Sequence, residues 1–132
     1  MKIEKIYSPN FSKNKRLRKS VKFIIIHYTG MQSERESLSR LCNFRSKVSS
    51  HFFINQMGKI YRLVEDNQIA WHAGKSCWGK YKDLNTVSIG IEMVNKGHKF
   101  GYTNFKRKQL SSLVKICKNL IKKYKIKKQN II

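Results

Sequence analysis

The chain has 132 residues, is 40% hydrophobic and carries a formal net charge of +22. That length suits one domain with a modest core, and the apolar content argues for folding rather than disorder. No apolar run is long enough to cross a bilayer, and the three cysteines (Cys42, Cys77 and Cys117) match neither a disulfide framework nor a paired-cysteine zinc motif. They read as free thiols of a reducing compartment.

Basic residues concentrate between Lys13 and Lys22 and again between Lys106 and Lys128. A field of this sign attracts polyanions such as nucleic acid, anionic lipid or acidic cell-wall polymer. Lysine, however, far outnumbers arginine, and arginine is the better residue for forked phosphate and base contacts. The excess therefore reads as a lysine-rich solvated surface, with no specific nucleic-acid partner.

In chain order, residues 1–20 are polar and basic and hold the only proline, Pro9. They read as an extended N-terminal arm before a domain spanning 21–132. Their positive charge is followed by no apolar stretch, which argues against a secretory signal peptide. A cytoplasmic location is the expectation, with the periplasm or cell envelope as the alternative. Val21 to Ile26 (VKFIII) is the pattern of a central strand covered on both faces. It ends at His27, with Tyr28, Thr29 and the turn residue Gly30 behind it. Ser33 with Glu36 three residues on is a capping-box signature and predicts a helix near 34–43. Val48–Asn55 and Lys59–Val64, joined by the Met57-Gly58 turn, predict a hairpin. Residues 65–86 lack periodicity but hold Trp71, His72, Gly74, Trp78, Gly79 and Tyr81. A long loop of this composition is usually functional. Val87–Val94 (VSIGIEMV) is a strand, apolar except at Ser88, Gly90 and Glu92. Leu110, Leu113, Val114, Cys117, Leu120, Ile121 and Tyr124 mark one face of an amphipathic helix. Asn130-Ile131-Ile132 begins another strand.

Four residues are candidates for chemistry. A strand end is rigid, so His27 is well placed to act as a metal ligand, a general base or a hydrogen-bonded core residue. Glu92 lies among apolar neighbours, where a carboxylate is costly unless paired or protonated. It is either turned to solvent at the alternating position or a desolvated general base tuned toward neutral pH. In Trp71-His72-Ala73-Gly74 the tryptophan offers a flat face and the small residues admit a ligand to the backbone; the alternative is an ordinary aromatic anchor. His51, inside a strand, reads as a satisfied structural histidine, and His98 as solvated. No two histidines are close enough in sequence to form a paired metal motif, so a metal site would need distant segments.

Taken in order, FIIIHYT, SSHFFINQMGKIYRLVED, AWHAG and LNTVSIGIEMVN resemble the type-2 N-acetylmuramoyl-L-alanine amidases, from about Lys22 to the end. The resemblance implies an α/β fold: a single domain with a mixed central sheet flanked by helices and a cleft holding one zinc ion. It implies hydrolysis of the amide between N-acetylmuramic acid and L-alanine in peptidoglycan or muropeptides, during peptidoglycan catabolism or recycling. Residue by residue, His27 matches the first zinc ligand, Glu92 the catalytic glutamate, and Trp71 and His72 a wall of the substrate cleft. The family's other two ligands follow its long helix in a segment that this sequence does not contain. The resemblance thus implies a domain incomplete at its C-terminus, with the remaining ligands expected beyond Ile132. Zinc in a hydrolase needs three protein ligands, so the 132 residues alone are expected to bind it poorly. The partners implied are peptidoglycan fragments, bound by a monomer. The alternative within the same resemblance is a non-catalytic muropeptide-binding module; a basic nucleic-acid binder is the third possibility.

Overall fold

The main sheet has five strands in the order β1–β5–β4–β7–β3, seen in a computed structural model that describes all 132 residues. They are β1 (Ile3–Lys5), β3 (Phe23–Tyr28), β4 (Phe52–Ile54), β5 (Ile60–Arg62) and β7 (Ser88–Met93). Only β4 and β5 pair antiparallel; β1–β5, β4–β7 and β7–β3 are parallel, which makes the sheet mixed. A small antiparallel pair, β2 (Phe11–Ser12) with β6 (Ile69–Ala70), sits apart from it. Three helices complete the fold: α1 (Glu34–Cys42), the single turn α2 (Leu84–Val87) and α3 (Arg107–Tyr124).

Side chains alternate across β3 and β7, so each strand serves two faces. Ile24, Ile89, Ile91 and Met93 point to one side, where Phe52, Ile54, Ile116 and Leu120 close a core beneath α3. Phe23, Ile25 and His27 point to the other, together with Ser88, Gly90 and Glu92 in register beside them. On that side Phe53 packs with Leu41 of α1, and Phe23 and Ile25 pack with Leu84 of α2. The strongly apolar sequence of β3 is thus explained by cover on both faces.

Three elements differ from the sequence reading. Residues 1–20, expected as an extended arm ahead of the domain, pack into it. β1 is an edge strand of the main sheet, and Ser8 and Asn10 are buried, with Asn10 Nδ2 donating to the carbonyls of Asn43 and Val48 at 2.8 Å each. Short-range pattern could not show this, because the partner of β1 lies more than fifty residues away. The expected strand 48–55 is regular only over Phe52–Ile54. Residues 48–51 are irregular: Ser49 N–H donates to Trp71 O, while His51 N–H donates to Gly90 O of β7 and the His51 carbonyl accepts from Leu63 N–H. The buried face of α3 is also rotated from expectation. Gln109, Ile116 and Leu120 are buried, whereas Leu110 and Val114 are exposed at 43% and 50%. A polar residue takes a core position because the Gln109 amide donates to the carbonyls of Ile54 and Val94, where β4 and β7 end. The α1 cap is as expected, with Ser33 Oγ accepting from Glu36 N–H at 3.1 Å. Ile131 lies parallel to Ile24 and starts a further pairing on the free edge of β3. No helix is long and apolar enough to cross a membrane.

Candidate functional site

His27 and Glu92 are cross-strand neighbours on parallel strands, and both open on one cleft of about 250 Å³. The cleft lies on the sheet face away from α3. Its walls include Arg40 and Leu41 of α1, Ser49, Trp71, His72 and Asn85. All four candidate residues therefore converge, although they lie 65 residues apart in sequence between His27 and Glu92.

Glu92 accepts no hydrogen bond and forms no ion pair, yet neither oxygen is sealed from solvent, so the carboxyl faces the open cleft. Burial pushes its pKa up to about 7, and the charge of Arg40 opposes part of that rise. At neutral pH the group is divided between acid and base, which suits proton transfer in either direction. His27 is more deeply fixed. Its Nε2 lies 3.0 Å from His72 Nδ1, and its Nδ1 has no protein partner and is not sealed off, so that nitrogen opens on the cleft. Burial lowers the His27 pKa.

Trp71 is anchored at both ends, with its backbone N–H donating to Ser49 Oγ and its indole Nε1 to Ser12 Oγ, each at 2.9 Å. The remaining ring surface contributes to the cleft wall. His72 borders the cleft, but both ring nitrogens are turned inward: Nδ1 to His27 and Nε2 to Ser88 Oγ at 3.0 Å. Burial, with the nearby charges of His51, His27 and Arg16, holds its pKa well below the usual value. His51 is fully buried, as its place in a strand-like segment suggested. Gly90 N–H donates to its Nδ1 at 3.1 Å, so Nε2 carries the ring proton and donates to Gln68 O at 2.9 Å. Arg16 Nη2, 3.1 Å from that same nitrogen, is then a neighbouring charge and not a hydrogen-bond partner. Burial and Arg16 together lower the His51 pKa to about 3. His98 is exposed, as expected.

Three supporting residues carry no local sequence signal for their roles. Gly90 has room only for hydrogen: a Cβ there would lie 2.4 Å from His72 Cγ, so the imidazole packs flat on the strand backbone. Asn85 Oδ1 accepts from the backbone N–H groups of His72 and Ala73, at 3.1 and 2.8 Å. Arg16 reaches from the N-terminal segment to the carbonyls of Asn85, Thr86 and Ser88, clamping the end of α2 to the start of β7. A clue to Ser88 and Gly90 existed in the sequence. The non-apolar positions 88, 90 and 92 recur with a period of two, which puts them on one face.

Residues 17–132 match the N-acetylmuramoyl-L-alanine amidase family. The chain belongs to this family. Among its relatives, N-acetylmuramoyl-L-alanine amidase AmiD of Escherichia coli is 33% identical over 124 residues, covering 85% of this chain and 44% of AmiD. The 1,6-anhydro-N-acetylmuramyl-L-alanine amidase AmpD of Haemophilus influenzae is 27% identical, covering 96% of this chain and 76% of AmpD. A solved complex of AmiD with anhydro-N-acetylmuramic acid-L-Ala-D-γ-Glu-L-Lys superposes with a TM-score of 0.77 at 31% identity, covering 92% of this chain and 50% of AmiD. AmpDh3 of Pseudomonas aeruginosa bound to anhydromuramic pentapeptide gives a TM-score of 0.76 at 27% identity, covering 96% of this chain and 55% of AmpDh3. The chain thus spans about half the length of AmiD.

The zinc ion implied by this family does not fit the donors of these 132 residues. No three histidine, cysteine, aspartate or glutamate side chains come together to hold a metal ion. His27 Nδ1 is available, but His72 and His51 have both ring nitrogens committed within the protein. Three protein ligands are the minimum for a catalytic zinc site.

Proposed function

We propose that the protein is an N-acetylmuramoyl-L-alanine amidase, a hydrolase acting on the amide between N-acetylmuramic acid and L-alanine in peptidoglycan or muropeptides. The observation that carries this reading is the pairing of His27 with Glu92 on adjacent strands at the floor of the cleft. In this reading the muropeptide lies along the cleft against Trp71, with the scissile amide above β3 and β7. Glu92, with a pKa near 7, takes a proton from the attacking water and returns it to the leaving amine of L-alanine. Arg40, on the cleft wall and without an ion-pair partner, offers a cation to the carboxylates of the stem peptide. Family membership and the named activities of AmiD and AmpD support this reading. Zinc dependence belongs to the same proposal. His27 is the one ligand these residues supply, and the other donors are assigned to polypeptide outside the 132 residues.

A second reading is favoured by the incomplete donor set: a module that binds muropeptide in the same cleft without cutting it. Mass spectrometry after incubation of anhydro-N-acetylmuramic acid-L-Ala-D-γ-Glu-L-Lys with zinc separates the two. A version of the chain extended to supply the remaining donors is expected to release the free tripeptide, and its Glu92→Gln variant is not. Binding without release favours the module, and neither binding nor release contradicts both readings.

A further inference from the structure

We infer that His72 is a positioning residue that holds His27 in its Nε2–H tautomer, leaving the Nδ1 lone pair of His27 directed into the cleft. The inference follows from proton counting along one chain of hydrogen bonds and is independent of the amidase reading.

The count starts at Ser88. Its hydroxyl has one proton, and Ser88 Oγ lies 2.5 Å from Leu84 O, a distance that two acceptors could not tolerate without a proton between them. Ser88 therefore donates to Leu84 O and has only lone pairs left for His72 Nε2, 3.0 Å away. His72 Nε2 must carry the ring proton and donate it to Ser88. In neutral imidazole the other nitrogen is then bare, so His72 Nδ1 is an acceptor. His27 Nε2, 3.0 Å from it, supplies the only proton available for that contact. The proton of His27 is thereby fixed on Nε2, and Nδ1, which has no protein partner, faces the cleft.

The rest of the environment holds His72 in place rather than engaging a ligand. Asn85 Oδ1 fixes its backbone, Gly90 admits its ring against β7, and the His27 and His72 rings meet edge to face with centroids 5.2 Å apart. A residue whose only task was to contact substrate would not need both nitrogens inside the protein. This differs from a substrate-contacting role for His72, and it accounts for the presence of histidine rather than another aromatic at this place. An outer partner that fixes the tautomer of a functional histidine is a recurring device.

Nitrogen-15 NMR of the 132-residue chain, labelled at its four histidines, tests the inference. Long-range proton–nitrogen correlations report which ring nitrogen carries the proton. His27 and His72 are expected as single Nε2–H tautomers, whereas exposed His98 shows the solvent mixture. A nitrogen–nitrogen coupling across the hydrogen bond is expected between His27 Nε2 and His72 Nδ1. His72→Asn keeps an acceptor where Nδ1 stood and should retain the single tautomer of His27. His72→Ala removes it and should release His27 to a mixture like that of His98. Ser88→Ala, away from His27, should mix the tautomers of both rings. The inference is overturned if wild-type His27 carries its proton on Nδ1 or shows the mixture of His98. It is also overturned if a folded His72→Ala chain keeps His27 unchanged. Should the variants fail to fold, the wild-type spectrum and coupling still decide.

Discussion

Replacing Glu92 by glutamine should stabilise the protein, and the gain should depend on pH in one direction. The Glu92 carboxyl has no hydrogen-bond partner or ion pair, and burial raises its pKa from 4.5 to about 7. The folded state therefore holds a proton that the unfolded chain has lost between those two values. Stability conferred by the neutral carboxyl is fully present below about pH 4.5, falls as pH rises through the folded pKa near 7, and is flat above it. A shift of that size is worth about 3 kcal/mol as an upper value, at about 1.4 kcal/mol per pKa unit, and water reaching a half-buried group trims it. Glutamine has nearly the same shape and no charge. Urea denaturation at pH 8 should show Glu92→Gln more stable than wild type by about 1–3 kcal/mol, and at pH 4 the two should agree. An equal or less stable variant at pH 8, or a gain that does not change with pH, would refute the claim that Glu92 is desolvated and unpaired. The expected trade is a functional one: the group that costs stability is the one proposed to move the proton.

Gly90→Ala forces a Cβ to within 2.4 Å of the His72 ring and should cost about 1–3 kcal/mol, read as a lowered denaturation midpoint. Intact stability there would mean that the ring does not lie on the strand. Asp66→Asn should cost about 3 kcal/mol, because Asp66 is buried and takes Arg62 at 2.6 Å, Tyr124 Oη at 2.7 Å and Lys123 at 3.2 Å. Burial disfavours the charge of Asp66, but these partners outweigh it and hold the pKa near 2, so its contribution is lost only as pH falls below about 3.8. Calorimetric titration of the 132-residue chain with zinc should show no tight one-to-one binding, since three donors do not converge; micromolar stoichiometric binding would show a donor set that this arrangement lacks.

Much of the site was legible because its residues break a pattern. His27 ends an apolar run, and Glu92 interrupts one, so burial and chemistry conflict visibly at both places. The amphipathic helix followed from periodicity, whereas the mixed sheet followed from the resemblance of the ordered motifs to the amidase family. What local pattern could not supply was long-range pairing. The register that sets His27 beside Glu92 joins segments 65 residues apart, and β1 finds its parallel partner in β5. Arg16 looked like one more basic residue in a charged stretch. Its role appears only when folding brings three backbone carbonyls to one guanidinium, where burial lowers even its pKa to about 10. Apolar periodicity places Leu110 and Val114 on the core face of α3, yet it is Gln109 that is buried. The free carbonyls at the ends of β4 and β7 call for a donor there, and hydrophobicity does not report that need.

In the proposed function, the cleft over β3 and β7 receives a muropeptide at Glu92 and His27. Titrating the nitrogen-15-labelled chain with anhydro-N-acetylmuramic acid-L-Ala-D-γ-Glu-L-Lys tests it most directly. Saturable shifts confined to Arg40, Trp71, Glu92 and the His27 ring, with an altered Glu92 titration, are predicted. Shifts scattered over the lysines of α3 and abolished by moderate salt, with the cleft unmoved, would contradict it.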